Sequence, residues 1–426
     1  MKVSVSPSPI AGILPAPSSK SSMQRACAAA LLHGGTTYIY NAGISNDDKA
    51  ALSIIKCLGA LVKIEESKIT ITSDGFSANS KPKEDELSCG ESGLSFRMFA
   101  PIAALSGQPI SLTGTGSLLK RPMNFFDEVF PQLHVQIESK NGYLPLLIKG
   151  PLRPASIHID GSLSSQFLTG LLFAFAAAAT KTETILVNEL KSKPYIDLTL
   201  DVMRKFGYNI THQNYECFTI CPPSLQTATI EYTVEGDWSS ASFLLVAGAI
   251  AGSVTVSGLD EESAQADRAI MIALESCGAN INKSEDSIEI RKSILSAFTF
   301  DATDCPDLFP PLAALASYCE GISIITGTHR LAAKESNRAE TLQQIFGTMG
   351  IDILLVNDEM HITGGKVNAA SVSSHHDHRI AMTAAIAALG ASGPMEISNA
   401  DAINKSYPQF YSDMKKLGTI ITTIQE

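Results

Sequence analysis

Asp304 and Asp307 in DATDCPD, Lys334, Glu335 and Arg338 in AAKESNR, Asp377, His378 and Arg379 in HHDHR, and Lys405 in NKSYPQF are the densest chemistry in this sequence. Carboxylates, amines and guanidiniums at neighbouring helix openings supply proton donors, proton acceptors and charge clamps together. A second set lies nearer the N-terminus. Lys20, Ser21 and Arg25 in PSSKSSMQR could hold phosphate and carboxylate, with Ser18, Ser19 or Ser21 doubling as helix caps. Gly90, Glu91, Ser92, Gly93 and Arg97 in SCGESGLSFR join a turn, through which backbone N–H groups can approach a ligand, to an arginine on the helix that follows. Ser164, Ser165 and Gln166 start the most apolar helix, and Ser192, Lys193 and Tyr195 stand just before Asp197 at another helix start. Each group also has a plain structural reading as caps, solvated cations or turn glycines. The three histidines of HHDHR would suit zinc, but Arg379 beside them opposes a cation. GTGSLLKRP, with Lys120 and Arg121, matches a glycine-rich dinucleotide loop only in part: a third glycine in phase is lacking, and a Lys-Arg-Pro turn stands where a helix should begin.

The elements that must position these groups recur. A small polar opening, an apolar Ala/Leu/Phe helix, a Gly or Ser and a short β-branched strand appear from Ser18, Ser88, Asp160, Glu235, Asp301 and His375, at intervals of about 71 residues, one sixth of the 426-residue chain. Between copies runs a second, amphipathic helix ending at glycine before a strand, as in KAALSIIKCLGALVKI and AIMIALESCGANINK; the second copy, at VFPQLHVQIE, is less regular. Glycine after the last apolar turn is the expected left-handed cap. No polar capping repeat is visible, so two clusters of three units are expected in place of a solenoid. The sequence therefore predicts an α/β protein of two pseudo-threefold domains, residues 15–230 and residues 1–14 with 231–426, the N-terminal strand belonging to the second. Helix N-termini gathered in this way would trap anions.

Bulk composition narrows the classes. A net charge of −11 argues against a general nucleic-acid or membrane-surface binder, so any anion site must be built locally. Phe167 to Ala179 is too short to span a bilayer and is expected to be a buried helix. The prolines and serines of MKVSVSPSPIAGILPAPSSK interrupt any secretory signal, and an intracellular, cytoplasmic protein is expected. The eight cysteines lack paired CxxC spacing and read as reduced core thiols, with no zinc pair at Cys217 and Cys221.

Taken in order, the helix openings resemble those of the enolpyruvyl transferases, most closely the branch acting on shikimate 3-phosphate. PSSKSSMQRA, SCGESGLSFRMF, SLSSQFLTGLL, LKSKPYIDLTL, VEGDWSSASFLL, DATDCPD, AAKESNRAETL, DHRIAMTAAIA and KSYPQF follow in the family's order over nearly the whole chain. The resemblance implies an inside-out α/β fold of six βαβαββ-type units, three per domain, with the active site in the interdomain cleft. It also implies a monomer using no metal and no organic cofactor, with only small-molecule substrates. Shikimate 3-phosphate would be held by Lys20, Ser21, Arg25, Ser164, Ser165, Gln166, Ser192, Tyr195, Asp307 and Lys334. Phosphoenolpyruvate would fall to Lys20, Gly93, Arg121, Gln166, Arg338, Arg379 and Lys405. The implied reaction is attack of the 5-hydroxyl on C2 of phosphoenolpyruvate, protonation of its methylene, and loss of phosphate from a tetrahedral intermediate. Asp307 or Lys334 would take the hydroxyl proton, and Glu335, with Lys20 as an alternative, would handle the methylene proton.

The chain departs from the family pattern at Glu91 and Gln24, where Asn is usual, at Leu94, where Thr is common, and at Arg330, where Asn usually lies. Glu91 and Leu94 adjoin the implied phosphoenolpyruvate pocket and bear on affinity for that substrate and for its mimic glyphosate. Two other readings compete. The sister transferase acting on a UDP-sugar normally shows Lys-Asn at the opening, where this chain has Lys20-Ser21. A silent repeat protein would bind anionic metabolites without turnover.

Overall fold

The computed structural model describes residues 1–223, 229–332 and 334–424 of the chain. Two compact units emerge, one of Ser18–Val234 and one of Met1–Pro17 with Glu235–Glu426. Among the described residues each unit holds three four-stranded sheets of one pattern. In the second repeat, Glu86–Ser88 lies parallel to Pro109–Thr113, which is antiparallel to Tyr143–Lys149, itself antiparallel to Gln136–Lys140. The parallel pair requires a crossover, and the helix Gly93–Ala103 supplies it. The order is strand, helix, strand, helix, strand, strand; three sheets follow it along the chain, and all six share its strand arrangement.

Three sheets borrow a strand from elsewhere in the sequence. Ile230–Thr233 lies parallel to Gly35–Tyr40, so the first unit keeps the chain to Val234. Ile10–Pro15 pairs with Gly252–Ser257, and Lys2–Val5 sits between Met395–Ser398 and Ile421–Ile424.

The six crossover helices are buried. Gly93–Ala103, Trp238–Ala251 and His378–Ala387 are buried at every residue, as apolar faces on all sides demand. The expected apolar helix is Ser165–Ala178, buried from Phe167 to Ala176, and no helix among the described residues is long and apolar enough to cross a membrane. The sheets alternate instead, Tyr143–Lys149 burying every second residue. Side-chain caps start the helices: Ser19, Ser92, Ser164, Asp237 and Asp377 each accept a first-turn N–H.

The amphipathic second helices end as their glycines require. Gly59, Gly207, Gly278, Gly350 and Gly418, each two residues past its helix, all have positive φ. In the irregular second repeat the helix shortens to Asn124–Val129 and a 3₁₀ turn, Phe130–Leu133, and His134 takes the left-handed position at φ 62°.

Where helices cross closely, side chains are absent. A Cβ on Gly170 would stand 2.5 Å from the Arg97 carbonyl oxygen and 3.0 Å from Met98 Cα, so the helices Ser165–Ala178 and Gly93–Ala103 meet backbone to backbone. Gly170→Ala is expected to destabilise the protein by about 1–3 kcal/mol through overpacking. Gly347→Ala, in an exposed helical turn with nothing within 4 Å, should instead raise the thermal midpoint slightly. Equal midpoints for the two variants would contradict this account of the crossing.

Candidate active site

In the unit Ser18–Val234, Lys20 is the first residue of the helix Lys20–His33, and its Nζ lies 2.9 Å from Asp47 Oδ2 at the start of the next helix. Asp47 is 5% exposed and Lys20 16%, so the amine is held at the helix mouth and not waving in solvent. Next to this pair, burial lifts the Asp48 carboxyl to about 7 against two hydrogen bonds from Ser45, with Asp47 adding repulsion and Lys20 opposing it. Neither aspartate was singled out from the sequence; the signal was there in the Ser45–Asp48 capping box, which fixes a helix start beside Lys20.

Arg25 lies one turn deeper, 1% exposed. Its Nε donates to Thr199 Oγ1 at 2.8 Å, Nη1 to the Ser21 carbonyl at 2.8 Å and Nη2 to the Tyr195 carbonyl at 3.2 Å. Thr199 in turn is 3.0 Å from Thr169, which links three helices through hydroxyls the sequence did not mark. Ser192 stands at φ 55° before the helix Lys193–Lys205, its carbonyl accepting the Tyr195 N–H. Ser21, Tyr195 and Arg25 are thus brought together, the first two through their backbone carbonyls.

The other anion-binding candidates of this unit also gather. Arg97 Nη1 donates to Gln166 Oε1 at 2.9 Å and its guanidinium lies over the Phe167 ring, 4.9 Å from the centroid. Ser164 caps the helix that carries Ser165 and Gln166. Arg121, 6% exposed, comes to Gly93: a Cβ there would be 2.6 Å from Arg121 Nη1 and 3.3 Å from Arg97 Nη1. Gly93 therefore leaves space for two guanidiniums at one helix N-terminus, an arrangement suited to a carboxylate or phosphate. Glu91, beside it, accepts from the N–H and hydroxyl of Ser117. Gln24 Oε1 receives the hydroxyls of Ser92 and Ser95, tying the first and second repeat openings.

In the unit containing Glu235–Glu426, Asp307 occupies the 3₁₀ turn Pro306–Leu308 and meets three cations: Lys334 at 3.2 Å, Arg338 at 2.7 Å and Arg379 at 3.1 Å. Burial alone would raise its pKa, but Arg379, then Lys334 and Arg338, hold it well below the usual carboxylate range. Lys334 is also lowered from its ordinary value, for a different reason: burial lowers it and Arg338 adds to the fall, against the pull of Asp307. Arg338, 1% exposed, also grips Asp377 through Nε at 2.8 Å and Glu335 through Nη2 at 2.6 Å. Lys405 lies 3.7 Å from the other Glu335 oxygen. Asp377 caps the helix His378–Ala387 by accepting the Arg379 N–H.

Asp267, which the sequence did not single out, is buried near this cluster. Burial and then the Asp307 charge lift it to about 6, against Arg379. Asp304 is exposed, and Arg330 is lowered by burial while Asp304 and Asp307 oppose the fall. The histidines of HHDHR separate: His375 and His376 are exposed with positive φ, whereas His378 is 1% exposed. Among the described residues no group of three or more His, Cys, Asp or Glu side chains is placed to hold a metal ion. The eight cysteines are unpaired, and burial pushes the thiols of Cys27, Cys89 and Cys305 up.

Comparison with known proteins adds the family. The profile of EPSP synthase, 3-phosphoshikimate 1-carboxyvinyltransferase, matches residues 5–414. A 3-phosphoshikimate 1-carboxyvinyltransferase of Clostridium novyi is 35% identical over 98% of this chain and 98% of its own, and one of Methanocorpusculum labreanum is 36% identical over 98% and 99%. The solved EPSP synthase of Acinetobacter baumannii superposes with a TM-score of 0.83 at 25% identity, covering 99% of this chain and 100% of that one. The enolpyruvyl transferase NikO from Streptomyces tendae, at 17% identity and a TM-score of 0.77, shares the fold.

The lowered Asp307 pKa has a definite stability sign. A carboxylate whose folded value lies below its unfolded value of about 3.9 contributes stability above that pH and loses it as pH falls further. Asp307→Asn is therefore expected to destabilise the protein by about 2–4 kcal/mol near neutrality, since it leaves buried cations short of a counter-charge. The deficit in the urea midpoint should hold from about pH 7 to 4.5 and shrink only below about 4. A deficit that vanished between pH 7 and 5 would assign the effect to another group.

Proposed function

The chain belongs to the EPSP synthase family, the 3-phosphoshikimate 1-carboxyvinyltransferases, and on that premise we propose that its two charged clusters together carry out enolpyruvyl transfer from phosphoenolpyruvate to the 5-hydroxyl of shikimate 3-phosphate. The observation that carries the site assignment is a set of cations, Lys20 at a helix opening in one unit and, in the other, Arg338 and Arg379 at helix openings with Lys405 ending the 3₁₀ turn Ala400–Lys405, each paired with a carboxylate. Two phosphates and two carboxylates need such a set, and a cation already paired can be shared with an anionic ligand without reorganising its own side chain.

Shikimate 3-phosphate is assigned to Lys20, Ser21, Arg25, Ser164, Ser165, Gln166, Ser192 and Tyr195 on one unit and to Asp307 and Lys334 on the other. Phosphoenolpyruvate is assigned to Lys20, Gly93, Arg121 and Gln166 with Arg338, Arg379 and Lys405. Excluding water from the bound substrates would keep the enol phosphate from hydrolysis. The 5-hydroxyl oxygen bonds to C2 of phosphoenolpyruvate as its proton passes to Lys334, an amine whose pKa is lowered by burial and which Asp307 keeps aligned. Glu335 delivers a proton to the methylene carbon, giving the tetrahedral intermediate. Glu335, now a carboxylate, takes back a proton from that methyl group as the C2–O bond to phosphate cleaves, yielding the enolpyruvyl ether and inorganic phosphate. The protein is proposed to act as a monomer in the cytoplasm. The names borne by the relatives favour this acceptor over a UDP-sugar.

Phosphate release from phosphoenolpyruvate is expected to require shikimate 3-phosphate and to fall about a hundredfold or more in Lys20→Met or Lys334→Met. Release with UDP-N-acetylglucosamine instead, or with neither acceptor, would overturn the assignment. Glyphosate is expected to compete with phosphoenolpyruvate; activity unchanged at millimolar glyphosate would contradict that. Gly93→Ala, whose Cβ would displace Arg121, should raise the KM for phosphoenolpyruvate and weaken glyphosate with it.

A further inference from the structure

Arg121 reaches Gly93 from a short segment of its own. The segment is the 3₁₀ turn Gly116–Lys120, largely exposed except at Leu118, and it ends at Arg121. Two attachments hang it from the turn before Gly93. The Thr115 N–H donates to the Gly90 carbonyl at 2.7 Å, and Glu91 Oε2 accepts both the Ser117 N–H and the Ser117 hydroxyl at 3.2 Å. Gly116 lies between these attachments at φ +56°, and a Cβ there would stand 2.4 Å from Glu91 Cδ, so the carboxylate packs directly on the backbone of the turn. Leu118 is fully buried and anchors the far side, and its carbonyl accepts the Arg121 N–H at 3.1 Å.

A carboxylate beside a site proposed to bind an anion would by charge alone oppose that anion. Its hydrogen bonds give it another use. We propose that Glu91 is a positioning residue for phosphoenolpyruvate: through Ser117 it fixes the turn that delivers the Arg121 guanidinium to Gly93, and so sets affinity for that substrate without touching the reacting atoms. This rests on the assignment of Arg121 to phosphoenolpyruvate made above. Glutamine keeps an oxygen acceptor of the same reach and removes the charge, whereas alanine removes the strut, so the two substitutions separate geometry from electrostatics.

The test is steady-state kinetics with both substrates on the full-length enzyme. Glu91→Ala is expected to raise the KM for phosphoenolpyruvate about tenfold, the scale of losing a hydrogen-bonded charged partner, with kcat within about twofold and the KM for shikimate 3-phosphate unchanged. Glu91→Gln should stay near the wild-type KM or fall below it. Ser117→Ala, which keeps the backbone N–H but loses the hydroxyl, should raise the same KM by a smaller factor, and it decides the matter if Glu91→Ala does not fold. An unchanged KM in Glu91→Ala or Ser117→Ala, a Gln variant as impaired as Ala, or equal changes for both substrates would each overturn the proposal. A wild-type protein without shikimate 3-phosphate-dependent release would fail the proposed function itself, before the variants are compared.

Discussion

The structure depends on burying helices that have no polar side. Trp238–Ala251 and His378–Ala387 cannot lie on a surface, because every face of each is buried. Sheets must cover them, and a sheet that covers a helix with one face can show solvent the other. What cannot be covered without cost is the N-terminal end, where first-turn N–H groups have no partner within the helix. A cap takes one of them. The rest remain at the end where Lys20, Gly93, Gln166 and Arg379 sit, so close packing of apolar helices and a place for anions come from the same arrangement.

Charge is then distributed around that constraint. The chain as a whole is acidic, yet its buried arginines gather at helix openings. Arg338 shows how such a group is kept: Asp307, Glu335 and Asp377 surround it, and the last is also a helix cap. Burying one guanidinium among three carboxylates satisfies donors that would otherwise be costly and fixes three loops with one side chain. Arg25 serves the other unit differently. Two carbonyls and a threonine hydroxyl accept its donors, so neutral groups help to fix it.

Much of this was legible in the sequence because repetition and punctuation survive in one dimension. The period near 71 residues marks the six units, and the glycines at 59, 207, 278, 350 and 418 end their helices in the left-handed conformation that glycine adopts most readily. The acidic and basic groups of DATDCPD, AAKESNR and DHR were legible too, since charged residues at apolar helix starts stand out. What was not legible depends on pairing across repeats. Nothing in the spacing says that Thr199 and Thr169 meet, that Asp47 holds Lys20, or that Asp267 is buried near Asp307. Nor does it say that the strand Ile230–Thr233 pairs with Gly35–Tyr40, almost 200 residues away in the chain.

The lowered pKa values of Asp307 and Lys334 both follow from this crowding. A carboxylate pulled well below its usual range is a weak base, even though it is always ionised near neutrality. An amine lowered by burial and by neighbouring guanidiniums gives up its proton more readily, so more of it is neutral and able to accept one near neutrality. At 3.2 Å the two are a hydrogen-bonded pair, and a proton arriving there belongs to the pair before it belongs to either residue. Any anion that settled on Arg338 would partly neutralise a guanidinium that depresses Lys334, and would raise the affinity of the pair for a proton. Anion binding and base strength are therefore coupled through the same few ångströms, and the pair would be a stronger base with an anionic substrate bound than without it.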